Sequence, residues 1–245
     1  MSSSRLPGKV LKKVNNKELL LYQIKRVRFS QYINKIIVAT STDESDNPIE
    51  LFCRKNGISF YRGSLANVLM RFIDIKNSYN PDLMIRLTAD CPLIDYNIID
   101  ESIEDFFKYK PDILATNNET GYPRGFDVEV FKPDLLDEIN NSTKDLSVLE
   151  HVTLYAYLNY KKFKIYIKQP PDDLKGFNRY RFCVDTPVDF EVVSYVLNHF
   201  NRMDFSIYDI KELVDRNGEF FEKNTNINQK IVLDFDQIYN FHKFS

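Results

Sequence analysis

The chain has 245 residues, with 33 Lys and Arg against 35 Asp and Glu and a formal charge of −2 at pH 7. That length suits one α/β domain or two small ones, and the charge balance excludes a protein that binds by coating a nucleic-acid backbone. A hydrophobic share of 43% with 14% aromatics supplies a core and excludes general disorder.

Taken from the N-terminus, Ser2, Ser3, Ser4, Arg5, Gly8 and Lys9 place small hydrogen-bonding residues beside two cations around Leu6-Pro7. Small residues let backbone N–H groups approach an anion, so the stretch reads either as a phosphate-holding loop or as a mobile basic terminus. The GxxxxGK[ST] spacing of a Walker loop is absent. Leu19, Leu20, Gln23, Ile24 and Val27 follow helical spacing, with Asn16 as N-cap. Residues 35–40 form a β-branched apolar run, the pattern of a strand buried on both faces. Pro48 opens a helix that Gly57 stops, 58–61 is a second strand, and Val68, Leu69, Phe72, Ile73 and Ile75 mark an amphipathic helix. Residues 83–87 are a third strand, 98–107 a helix and 113–116 a fourth strand. Repeated strand–helix–strand units predict a parallel sheet with right-handed crossovers. From about 117 the texture changes: 121–125 is turn-rich, 127–131 and 163–167 alternate like half-wet strands, and 146–160 reads as a helix. A strand at 180–184 and helices at 190–200 and 207–214 follow.

No stretch nears the roughly 20 apolar residues of a membrane-spanning helix, and the N-terminus lacks a secretory apolar run. Cys53, Cys91 and Cys183 are odd in number and lack CxxC spacing, so a zinc site is not indicated and a cytoplasmic location is expected.

Several residues are placed to carry chemistry. Ligands of open parallel α/β sheets bind beyond the carboxyl ends of strands, and Asp90 stands there, before Pro92. It reads as a ligand or as a helix cap, although Asp95 is better placed to cap. Asp185 follows another strand-like run, before Pro187, and is either a metal ligand or an N-cap. Two carboxylates at two strand ends can hold one hard cation that also bridges phosphate oxygens. Asp127 and Glu129, two apart on a strand, face the same way and can bind a cation, accept sugar hydroxyls or face water. His151 has no serine or cysteine near it in sequence and reads as a packed or interface histidine.

Together these segments resemble a known family. Residues 3–11 (SSRLPGKVL) resemble the nucleotide-binding loop of the cytidylyltransferases, nearest the spore-coat polysaccharide F-type branch and related to the sialic acid and KDO enzymes. Residues 86–95 (RLTADCPLID), 122–131 (YPRGFDVEVF), 150–153 (EHVT) and 181–190 (RFCVDTPVDF) are similar to four further signatures, in order. The resemblance implies a Rossmann-like three-layer fold with a mostly parallel sheet, of the nucleotide-diphospho-sugar transferase type. The nucleotidyltransferase domain would span 1–215, with an inserted β arm at about 117–170 and an extension of unknown role at 216–245. It implies transfer of CMP from CTP to a sugar or sugar acid, with release of pyrophosphate, for a surface polysaccharide or glycan. Ser3, Ser4, Arg5, Gly8, Lys9 and Arg86 would bind the nucleotide. Asp90 and Asp185 would hold Mg²⁺ and act with Lys9 in catalysis, while Arg124, Asp127 and Glu129 would line the substrate pocket. A homodimer with no nucleic-acid or membrane partner is expected.

One departure stands out. The family begins with a strand ahead of the methionine that leads into the loop, whereas this sequence starts at that methionine and has Ser2 where glycine is usual. The missing strand would lie beside the one at 35–40, so two strand edges are expected to lack partners. A glycosyltransferase using a preformed nucleotide sugar is the alternative enzyme, though its Asp-x-Asp signature is absent from Asp90-Cys91-Pro92. A nucleotide-binding pseudoenzyme is the non-catalytic one.

Overall fold

The alternating pattern folds into helices layered over strands, in a computed structural model that describes residues 5–117, 121–227 and 238. A hairpin of β1 (Lys13–Val14) and β2 (Lys17–Glu18) leads into α1 (Leu19–Val27). There follow β3 (Ile37–Ser41), α2 (Asn47–Lys55), β4 (Ser59–Gly63), α3 (Val68–Tyr79), β5 (Met84–Arg86), α4 (Tyr96–Tyr109) and β6 (Ile113–Ala115). The second half adds β7 (Glu129–Phe131), α5 (Asp134–Ser142), α6 (Leu146–Leu149), α7 (Leu154–Leu158) and β8 (Ile165–Ile167). It closes with α8 (Pro187–Phe200), α9 (Ile207–Arg216) and α10 (Gly218–Phe221).

The strands form a parallel pair, β3 with β4, and a four-stranded sheet in the order β5-β7-β6-β8. Within the latter, β6 and β8 are parallel, while β7 runs against both β5 and β6 and separates them. The segment 117–170 therefore supplies two strands of the main sheet. Among the described residues, β3 pairs only with β4 and β5 ends its sheet, so each keeps an edge without a strand neighbour. Helix α1 spans the two sheets: Leu20 and Ile24 pack with Ile49, Phe52 and Ile58, while Leu19, Tyr22 and Val27 join the main core.

Four local expectations are corrected. Asn16 caps no helix; with Asn15 it holds the left-handed turn of the β1–β2 hairpin (φ 61° and 48°), and Glu18 stands at the N-cap. The helix expected at 146–160 is broken into α6 and α7, with Val152 at φ 58° between them. Residues 180–184 are no strand but an extended run with one bridge, Arg181 to Arg124. Residue 127 lies outside β7, which begins at Glu129, and α5 was not anticipated.

The buried face of α1 carries two polar residues that position the loop after β5. Gln23 donates to the Thr88 carbonyl at 2.7 Å. Arg26 is fully buried, lies over the Phe205 ring and donates to the carbonyls of Ile94 (2.9 Å), Leu93 (3.2 Å), Met203 (2.6 Å) and Phe205 (2.8 Å). Burial pulls this guanidinium down to about 10, yet it stays charged at neutral pH. Removing it leaves four carbonyls short of a donor. Arg26→Ala should lose about 3 kcal/mol or more in urea unfolding, and a loss below about 1 kcal/mol would show that Arg26 is not what holds this loop.

Candidate active site

Three chain segments meet at one ammonium group. Leu6 is 8% exposed and packs into the main core, which pins the N-terminal loop. Gly8, at φ 67°, then turns the chain into a short 3-10 turn, Lys9–Leu11. From that turn Lys9 Nζ donates to Asp90 Oδ2 at 2.6 Å and to Asp185 Oδ1 at 2.7 Å. Arg5 Nη2 lies 3.2 Å from Asp185 Oδ2. The basic stretch from Arg5 onward is thus an ordered loop, not a mobile terminus; Ser3 and Ser4 lie outside the described residues.

Asp185 is not a helix cap. Thr186 caps α8 in a reciprocal capping box with Asp189, leaving the Asp185 carboxylate to face Lys9, Arg5 and Arg181. Asp90 does not cap α4 either, because Asp95 does so by accepting from Asn97 N at 2.9 Å. The backbone joins the two acidic loops directly, Val184 N donating to Asp90 O at 2.8 Å.

Behind them Asp189, fully buried, accepts from Arg181 Nε (2.9 Å), Asp185 N (3.0 Å), Thr186 N (2.9 Å) and Asn224 Nδ2 (2.9 Å). Arg181, Asp189 and Asn224 were not singled out from sequence. The first two flank Asp185 at four-residue spacing, a visible signal, whereas Asn224 lies in the extension that carries no recognised motif. Burial alone would pull Lys9 down, but Asp90 and Asp185 outweigh it and its pKa is raised. Burial alone would raise Asp185, yet Lys9, Arg181 and Arg5 hold it below the usual carboxylate range. Burial pushes the flanking Cys91 and Cys183 thiols up, which keeps them unreactive.

Beside this cluster opens a cavity of about 290 Å³ lined by Arg86, Arg124, Asp127, Glu129, His151 and Tyr157, among others. Glu129 accepts from Arg86 Nη1 (2.7 Å), Thr153 Oγ1 (2.8 Å) and Tyr157 Oη (2.8 Å). Asp127 accepts from Gly125 N at 3.0 Å, and burial raises its carboxyl. Gly125 is at φ 105°, and a Cβ there would meet the Phe182 carbonyl carbon at 2.6 Å, so the pocket loop packs directly on the strip leading to Asp185. Thr88 joins the two halves, lining the cavity while its Oγ1 lies 3.2 Å from Cys91 Sγ. The expected site residues therefore form two adjoining groups, Arg5, Lys9, Asp90 and Asp185 in one and Arg86, Arg124, Asp127 and Glu129 in the other. A wider hollow of about 440 Å³ along α8 has Glu191 as its one charged lining residue.

Asp90 and Asp185 are hard oxygen donors that could hold a divalent cation between them, at the position that Lys9 Nζ occupies in this structure. No cluster of three or more His, Cys, Asp or Glu side chains suited to a metal occurs among the described residues.

Residues 1–239 match the family described as cytidylyltransferase. The chain belongs to that family. A cytidylyltransferase is a nucleotidyltransferase, and the chain is an enzyme of that kind. The spore coat polysaccharide biosynthesis protein SpsF of Bacillus subtilis is 32% identical over 225 residues, covering 89% of this chain and 92% of that one. The 3-deoxy-manno-octulosonate cytidylyltransferase of Solibacter usitatus is 26% identical over 232 residues, covering 79% and 89%. The structure of a cytidylyltransferase from Leptospira borgpetersenii serovar Hardjo-bovis superposes with a TM-score of 0.85 at 30% identity over 94% of each chain, in agreement with the Rossmann-like fold expected. No helix among the described residues of this cytidylyltransferase is long and apolar enough to cross a membrane.

The depressed pKa of Asp185 sets a pH dependence. Its ion pairs stabilise the fold above the ordinary Asp range near 4, and that contribution is lost as pH falls through the lowered folded value. Urea midpoints measured from pH 6 down to pH 2.5 should fall less steeply in Asp185→Asn than in the unsubstituted enzyme, and parallel curves would count against the ion pairs.

Proposed function

We propose that this cytidylyltransferase transfers CMP from CTP to a sugar or sugar acid and releases pyrophosphate, with Mg²⁺ bound between Asp90 and Asp185. One observation carries the reading: Lys9, Asp90 and Asp185, from three distant segments, meet at one point beside a polar cavity. Arg5 and Lys9 offer the cations that a triphosphate requires, and Arg181, held by Asp189, keeps Asp185 aimed at the same point. When bound, Mg²⁺ would polarise phosphate oxygens as a Lewis acid. Lys9 would bear on the α-phosphate and on the charge that grows on the leaving pyrophosphate as the acceptor oxygen attacks in line.

The cavity is the acceptor's place in this reading. Arg86 and Glu129 neutralise each other, so Arg124 is left as the cation for an anionic group, and Asp127 accepts from hydroxyls. That polarity suits a polyhydroxylated sugar bearing a carboxylate or phosphate. The names of the relatives, one in spore coat polysaccharide biosynthesis and one acting on a sugar acid, support an acceptor used in a surface polysaccharide.

Pyrophosphate release should require CTP in a screen of the four nucleoside triphosphates against sugar acids and sugar phosphates. Asp90→Asn and Asp185→Asn should each lower kcat by about 100-fold or more while circular dichroism is unchanged; unchanged turnover in both removes the metal assignment. Arg124→Ala should raise KM for an anionic acceptor by about 10- to 100-fold, an effect of about 1.5–3 kcal/mol. KM for CTP should stay within about twofold, and an equal rise for both substrates would move Arg124 to the nucleotide side.

A further inference from the structure

Lys9 stands where a divalent cation shared by Asp90 and Asp185 has to stand. Its Nζ contacts one oxygen of each carboxylate, at 2.6 and 2.7 Å, and the side chain is only 16% exposed. The second oxygen of Asp185 is already taken by Arg5 and Arg181. Arg181 is not available to move, because it is 4% exposed and bound through Nε to the fully buried Asp189. Lys9 is different: it leaves a three-residue turn just after a left-handed glycine, on a flexible four-carbon stem.

The charge count is equally restrictive. Within these direct ion pairs, three cations (Arg5, Lys9, Arg181) face three carboxylates (Asp90, Asp185, Asp189). The cluster is neutral. A bare divalent ion entering it adds two positive charges to a half-buried site and must also expel the ammonium. A triphosphate arriving with the ion brings the compensating charge and gives the displaced ammonium a new partner.

We propose that Lys9 is a resident counter-ion that occupies the metal position in the ligand-free enzyme and makes divalent-cation binding conditional on a triphosphate, Lys9 passing from the carboxylates to the phosphates when both arrive. The inference rests on the reading of Asp90 and Asp185 as metal ligands and adds an order of events to it. Lys9 thereby gains a role before any chemistry.

Mn²⁺ is the probe, its binding followed by electron paramagnetic resonance with no acceptor present, so the readout does not depend on turnover. The unsubstituted enzyme should bind Mn²⁺ alone weakly and bind it at least about tenfold more tightly with CTP. Lys9→Met should bind Mn²⁺ alone at least about tenfold more tightly than the unsubstituted enzyme, and the double variant Lys9→Met/Asp90→Asn should lose that gain. Lys9→Arg, which keeps the charge, should stay weak. If Lys9→Met does not fold, Lys9→Gln removes the charge while retaining a hydrogen-bonding group and is held to the same expectation. Equal Mn²⁺ affinity in the unsubstituted and Lys9→Met enzymes overturns the counter-ion inference and leaves the metal assignment standing. Absence of Mn²⁺ binding in every variant, with CTP as well as without, overturns both.

Discussion

The shared ammonium of Lys9 is the interaction on which the rest of the site depends. Asp90 and Asp185 are 95 positions apart in the chain, and both carry negative charge into a partly enclosed space. Two carboxylates brought that close without a cation would repel one another, and one would have to take up a proton. Lys9 removes the conflict, Arg5 and Arg181 reinforce the solution on one side, and Asp189 balances Arg181 in the interior. The N-terminal loop, the turn after β5 and the approach to α8 are therefore held together by charge as well as by packing.

Packing fixes where that charge can sit. Helix α1 reads as an ordinary amphipathic helix, but its buried Gln23 and Arg26 hold backbone carbonyls on both sides of Asp90, at Thr88 and at Leu93 and Ile94. On the other side, the capping box of Thr186 and Asp189 starts α8 two residues after Asp185 and frees that carboxylate from capping duty. Asn224 then ties the C-terminal stretch to the same hub through Asp189 and the Arg181 carbonyl. The precision of the site thus comes from buried polar groups that each make several hydrogen bonds, an arrangement that resists deformation because each lost bond exposes an unsatisfied partner.

How much of this was legible beforehand differs from element to element for physical reasons. Asp90 and Asp185 stood out in the sequence as acidic residues between an apolar run and a proline, where ligand and helix cap were both open; the structure gives the capping to Asp95 and Thr186. Strands and helices with strong periodicity, such as α3 and β3, were likewise legible. The failures lie where tertiary context decides: Asn15 and Asn16 form a left-handed hairpin turn in place of a cap, and a left-handed Val152 divides what looked like one helix. Arg26 could not be distinguished by spacing from any cation on a helix, since its function is to meet carbonyls from residues 93–94 and 203–205. Pairing of β5 with β7 in place of β6 was hidden for the same reason, because strand neighbours are chosen in three dimensions.

Asp127 and Glu129 show how far residue type and spacing can go. They lie two apart, line the same cavity and were expected to share one task. Glu129, however, accepts from Arg86, Thr153 and Tyr157, which consumes most of its capacity and fixes Arg86 in place. Asp127 accepts from Gly125 N, and its burial raises its carboxyl even though this bond and the nearby Arg124 pull the other way. A hydroxyl-bearing ligand would offset that burial at Asp127 but would have to displace existing partners at Glu129. The two carboxylates are thus assigned different work by their surroundings, Glu129 shaping the wall of the cavity and Asp127 being the one with capacity to take a new donor.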